Sequence, residues 1–142
     1  MSDATVTVQV THRYRHAPAA VFDAWLNPDT AGKFLFATPT GTMVKAEIDP
    51  RVGGAFNFTD RREGVDIEHV GEYLEIDRPR RLVFFFRVPA FSDQPSVVVI
   101  EIAPADGGCE LTLTHEGVLP DYAEGTKGGW TMILGSLERV LG

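Results

Sequence analysis

The feature that most constrains this chain is its last apolar pattern, residues 127–141, KGGWTMILGSLERVL. It sets Trp130, Ile133, Leu134, Leu137, Val140 and Leu141 at offsets of three and four, which is one apolar stripe along a helix. Nearly everything before it alternates with a period of two, the signature of strands with one buried face. The stripe therefore has one obvious partner, the concave face of a sheet, and any function is expected in the space between the two.

Taken in order, residues 5–14 alternate cleanly, with Val6, Val8, Val10, His12 and Tyr14 on one face. Pro18 suits the first turn of a helix whose apolar side is Val21, Phe22, Trp25 and Leu26, and Asn27-Pro28 stops it. Asp29-Thr30 reads as the cap of a second short helix reaching about Phe34, and the LFATPTGT run with Pro39 and Gly41 as a loop. Strands follow at residues 43–48 and 55–59, joined by DPRVGG, with DRREG as the next turn. Residues 65–76 make a long strand with a bend or bulge expected near Gly71. Residues 81–88 send Leu82, Phe84 and Phe86 inward and leave Val83 and Phe85 outside as a contact surface. Residues 96–102 turn Val98, Ile100 and Ile102 to the core, and residues 109–115 close the sheet with Leu111, Leu113 and His115 inward. The order gives an α+β class: an antiparallel, curved sheet of about six or seven strands, two short helices after the first strand, and a long C-terminal helix.

At 142 residues the chain fits one domain, residues 1–142, able to hide roughly 70% of its unfolded surface. A net charge of −7 opposes nucleic acid and anionic lipid, although the cluster Arg78, Arg80, Arg81 could make one phosphate contact. The single Cys109 forms no internal disulfide, which fits a reducing, cytoplasmic setting. No run approaches the ~20 apolar residues that cross a bilayer, so no membrane partner is expected.

The segments HAPAAVFDAWLNPDTAGKF, DPRVGGAFNF, GEYLEIDRPRRLVFFF, LTLTHEG and the GGW opening the last helix resemble the helix-grip superfamily of START domains, birch-pollen-allergen-like proteins and polyketide cyclases. More narrowly they are similar to the family named for activators of the heat-shock protein 90 ATPase. The resemblance implies an apolar pocket between the long helix and the sheet, with the short helices and the loop of residues 34–42 at its mouth. A chaperone partner follows from the family name alone.

Parity and resemblance together give the candidate ligand-binding set. It comprises Trp25, Phe34, Phe36, Phe56, Phe58, His69, Tyr73, Phe84, Phe86, Leu113, His115, Trp130 and Leu134. These aromatics are first of all core, since large rings fill the gap beneath a helix. Gly128, Gly129 and Gly135 leave the helix locally bare and weigh slightly toward a cavity. His12, His69 and His115 share inward parities but are too scattered for a ligand cluster, so no metal and no cofactor are expected. His69 and Tyr73, four apart on one strand, could orient or protonate a carbonyl; the plainer reading has both hydrogen-bonded in the core. Asp66 and Glu68 read as a solvated face, and Cys109 has no basic neighbour in sequence to favour its thiolate. A nucleophile elbow and a phosphate-binding turn are both missing. The expected function is binding of a small apolar or amphipathic molecule by a monomer or homodimer. The alternatives are an enzyme of cyclase, dehydratase or hydrolase type on a cyclic or polyketide-like substrate, and a chaperone-interaction module.

Overall fold

The computed structural model describes residues 5–36, 41–90 and 95–142. Seven strands form one antiparallel sheet: β1 (Val6–Tyr14), β2 (Thr42–Ile48), β3 (Ala55–Arg62), β4 (Val65–Asp77), β5 (Arg81–Arg87), β6 (Ser96–Ala105) and β7 (Gly108–Val118). Their spatial order is β1-β7-β6-β5-β4-β3-β2, so β2 to β7 run as a meander and β1 returns to pair with β7. Two short helices, α1 (Pro18–Leu26) and α2 (Pro28–Phe34), link β1 to β2. After β7 a single 3-10 turn, Pro120–Tyr122, leads into α3 (Ala123–Leu141), which packs on the sheet through the buried Trp130, Leu134 and Leu137.

The inward parities follow the alternation. Phe56 and Phe58, Ile67, His69 and Tyr73, Leu82, Phe84 and Phe86, Val98, Ile100 and Ile102, and Leu111, Leu113 and His115 are all buried. From its middle to its C-terminal turn α3 is tied to β1: the Tyr14 hydroxyl donates to the Leu134 carbonyl at 2.8 Å and His12 Nε2 meets Glu138 Oε1 at 3.1 Å.

Several local expectations change. The cap of α2 is Asn27, whose side chain accepts from the Asp29 amide at 2.9 Å; Asp29 and Thr30 lie inside the first turn, because Pro28 starts the helix and needs no N–H donor there. Helix α3 begins at Ala123, one turn earlier than the stripe alone suggests, and β3 runs on through DRR to Arg62. The irregularity in β4 falls between Tyr73 and Glu75, where pairing with β5 shifts, while pairing with β3 stays regular through Gly71. Gly71 serves close approach instead: a Cβ there would collide with the Phe85 carbonyl and lie 2.5 Å from the Phe56 ring. Val83 sits on the outer face yet is only 8% exposed, with Glu75 and Val99 opposite it across the ladder, and Phe85 is half-buried. The pair is not an exposed apolar surface. Of the loops read from sequence, residues 37–40 and 91–94 lie outside the described residues.

Candidate functional site

The centre of the space beneath α3 is occupied by the ring of Phe36. This residue follows α2 and its C-cap Leu35, outside any helix or strand. Its ring stacks on the His69 imidazole, with centroids 4.4 Å apart and planes 13° from parallel. It also meets Phe86 at 5.0 Å, and Phe58 and Trp130 at 5.9 Å each. To reach this position Phe36 adopts φ = +60°, a left-handed conformation that costs a bulky L-residue about 1–3 kcal/mol. Its carbonyl accepts a 3.3 Å hydrogen bond from Arg62 Nη2, and Arg62 Nε in turn donates to the fully buried Asp60 carboxylate at 2.8 Å.

Two buried imidazoles bound this cluster. Trp130 Nε1 can only donate, so its 2.9 Å bond to His115 Nδ1 requires that nitrogen to carry a lone pair. The proton then sits on Nε2 and is donated to Ser96 Oγ at 2.7 Å. His69 Nδ1 faces the Phe58 carbonyl at 3.2 Å, an acceptor, so there Nδ1 carries the proton. Burial pushes both groups down, to about 4, because the charged form would lose its hydration. For His69 the bond to Phe58 opposes that shift and the nearby Arg62 charge adds to it. Both histidines are therefore neutral at pH 7, with both nitrogens of His115 taken by Trp130 and Ser96 and Nδ1 of His69 taken by the Phe58 carbonyl.

The other predicted residues fall into neighbouring groups. Phe56, Tyr73 and Phe84 form a second aromatic cluster, joined to the first through Phe56–Phe58 at 5.8 Å and Phe84–Phe86 at 6.3 Å. His69 and Tyr73 do share a face, but the Phe56 ring lies over Gly71, the residue midway between them. Burial raises the Tyr73 phenol well above its ordinary 10, with the Asp49 charge adding to it. Trp25 and Phe34 meet edge to face at 5.1 Å where α1 joins α2, and the buried Trp25 indole N–H has no hydrogen-bond partner among the described residues. Leu113 and Leu134 are fully buried core.

Asp60, Arg62 and Ser96, absent from the candidate set, adjoin the cluster through the Phe36 carbonyl and His115. The signal was available: Asp60 and Arg62 continue the inward parity of Phe56 and Phe58, and Ser96 that of Val98 and Ile100. The helix glycines do not open a cavity. Among the described residues a Cβ added at Gly128, Gly129 or Gly135 would meet nothing within 4 Å, and at 3.6 residues per turn these positions point away from the Trp130, Leu134, Leu137 stripe. They make no room under the helix. Open depressions of about 290 Å³ (Glu47, Phe56, Asn57, Val70) and 470 Å³ (Arg80, Glu101, Glu110, Thr112) lie away from α3.

His12, His69 and His115 have separate partners, and the described residues hold no group of three side chains suited to a metal. The basic cluster is spent internally: Arg78 pairs with Asp23 at 2.7 Å, Arg80 with Asp77 at 2.9 Å, and Arg81 with Glu75 and Glu101 at 3.0 and 3.1 Å. No helix among the described residues is long and apolar enough to cross a membrane. Cys109 is buried, and burial raises its thiol pKa.

Residues 15–142 match the family described as Activator of Hsp90 ATPase homolog 1-like protein. The chain belongs to that family. Solved structures agree in fold. A Chromobacterium violaceum protein is 24% identical with a TM-score of 0.84, covering 95% of this chain and 96% of its own. An AHSA1-like protein from Aeromonas hydrophila is 21% identical with a TM-score of 0.83, over 96% and 92% of the two chains. A Mesorhizobium loti protein is 26% identical with a TM-score of 0.76, over 96% of each. No curated protein matches the sequence. The seven-stranded sheet, paired short helices and long closing helix make this member of the Activator of Hsp90 ATPase homolog 1-like family a helix-grip domain.

Proposed function

We propose that this chain binds a small apolar or amphipathic molecule between α3 and the sheet. The observation that carries the reading is the pair of neutral histidines set among rings from separate elements: Phe36, Phe58, Phe86 and Trp130. Burying an imidazole costs its hydration while each hydrogen bond returns only about 0.5–1.5 kcal/mol, so stability alone gives little reason to place two of them among the rings. A site for an apolar guest combines apolar walls with a few fixed polar groups, and here the His69 ring supplies a flat stacking face among the aromatics. Enclosing a few hundred Å² of apolar ligand surface at ~25 cal/mol per Å² supplies several kcal/mol before the costs of association. The test is native mass spectrometry of the protein from its own host, before and after denaturation. A small molecule released on unfolding supports the reading, and a protein that stays empty and is not stabilised by a panel of lipids and aromatic compounds contradicts it.

The family description favours a second reading, a domain that docks on a chaperone. That reading predicts capture of a chaperone without any small molecule. The enzyme alternative has less to support it, because burial leaves His69 a weak base and Phe56 lies between it and Tyr73.

A further inference from the structure

We propose that Phe36 is a built-in plug, its ring holding the position that a planar aromatic ring of the ligand takes on binding. The inference rests on the ligand-binding reading above and specifies both its ligand class and its regulation.

Phe36 differs from the rings around it in how it is placed. Phe58, Phe86 and Trp130 project from strands or a helix, so their positions follow from the regular backbone. Phe36 follows the cap of a short helix, and it places its ring in the cluster with φ at +60°. A core ring held against backbone strain is the one whose replacement releases energy, and a guest ring in the same place restores the aromatic contacts that Phe36 gives up. The described restraint on its main chain is one hydrogen bond from Arg62, 3.3 Å long, beyond the usual range for N–H···O. The position it occupies defines the guest: a flat ring stacked on an imidazole 4.4 Å away, with Trp130 steeply inclined to it at 60° and 5.9 Å. Neither imidazole carries charge at neutral pH, so the guest is an uncharged aromatic in preference to an aromatic anion.

The probe is 2-naphthol, with 2-decalol as a non-planar molecule of similar size, titrated into the full chain carrying 4-fluorophenylalanine at position 36. The wild-type protein is expected to bind 2-naphthol in preference to 2-decalol, and the fluorine resonance to move at saturation to the position of a solvent-exposed fluorophenyl. Removing the plug abolishes the cost of opening, so Phe36→Gly is expected to bind about tenfold tighter or more. Phe36→Ala serves if the glycine variant folds poorly. Phe58→Ala, which empties a neighbouring core position and leaves the plug in place, is expected not to show that gain. Binding with an unmoved fluorine signal overturns the plug and leaves the ligand-binding reading standing. Equal affinity of the wild type and both Phe36 variants also overturns it. If none of these proteins binds 2-naphthol the plug is overturned, and a host-derived ligand seen by mass spectrometry would still uphold the wider reading.

Discussion

Acid should unfold this protein through two residues, His69 and His115. Both have an ordinary value of 6.5 in the unfolded chain and about 4 in the fold, and they are 5% and 6% exposed. The depressed folded value means that between about pH 6.5 and 4 the unfolded state binds more protons, so stability falls as pH falls through that window. For one such group, lowering the pH from 7.5 to 4.5 removes about 2.5 kcal/mol, and for two independent groups about 5. Native domains hold about 5–15 kcal/mol, so this is a large fraction of the whole. The lowered carboxyls of Asp23 and Asp66, each held by an arginine hydrogen bond, lose their contribution below the window. Urea melts at pH 7.5, 6.5, 5.5 and 4.5 measure the slope directly. His115→Gln, whose amide can accept from Trp130 and donate to Ser96, should remove about half of it. A stability that stays flat from pH 7.5 to 4.5, or a slope unchanged in both His115→Gln and His69→Gln, would refute the assignment of two neutral buried imidazoles.

Three further outcomes follow from the packing. Gly128→Ala and Gly135→Ala, where a new Cβ meets nothing, should each raise stability by about 0.5–1 kcal/mol, read as an increased denaturation midpoint at constant slope. Gly71→Ala should cost about 2–3 kcal/mol, because the added methyl drives into the Phe85 carbonyl and the Phe56 ring; an unchanged thermal midpoint would contradict that packing. Trp130→Phe keeps a ring under the helix but leaves His115 Nδ1 without its donor, at a cost of about 1–3 kcal/mol by chemical denaturation.

The alternation and the final stripe are enough to read a sheet of about six or seven strands, three helices and most inward faces, because a half-buried sheet forces period two and a docked helix forces offsets of three and four. What they could not show was set by tertiary approach. Gly71 looked like a bend since glycine permits both a bulge and a close contact, and only the Phe56 ring across the ladder decides between them. Val83 is buried on the face that parity assigns to solvent, where neighbours across the sheet cover it. Asp60 and Arg62 resembled a polar turn, yet they carry the inward parity of β3 onward and place a carboxylate in the interior. Phe36 is legible as an aromatic near the pocket mouth, whereas its left-handed backbone and its stack on His69 depend on how α2 is set against α3 and β2. Similar ambiguity attended the helix glycines, whose direction depends on the rotation of α3 about its axis.

The most direct test of ligand binding beneath α3 is a two-dimensional nitrogen–proton NMR titration that follows the two indole N–H signals. Trp130 donates to His115 inside the cluster, and the Trp25 indole N–H, at the α1–α2 junction, has no hydrogen-bond partner among the described residues. Addition of a bound apolar molecule, whether host-derived or 2-naphthol, should shift the Trp130 indole signal saturably, because the guest lies against that ring and its hydrogen bond. A ligand that binds saturably while the Trp130 signal stays fixed would place the site elsewhere and contradict the account.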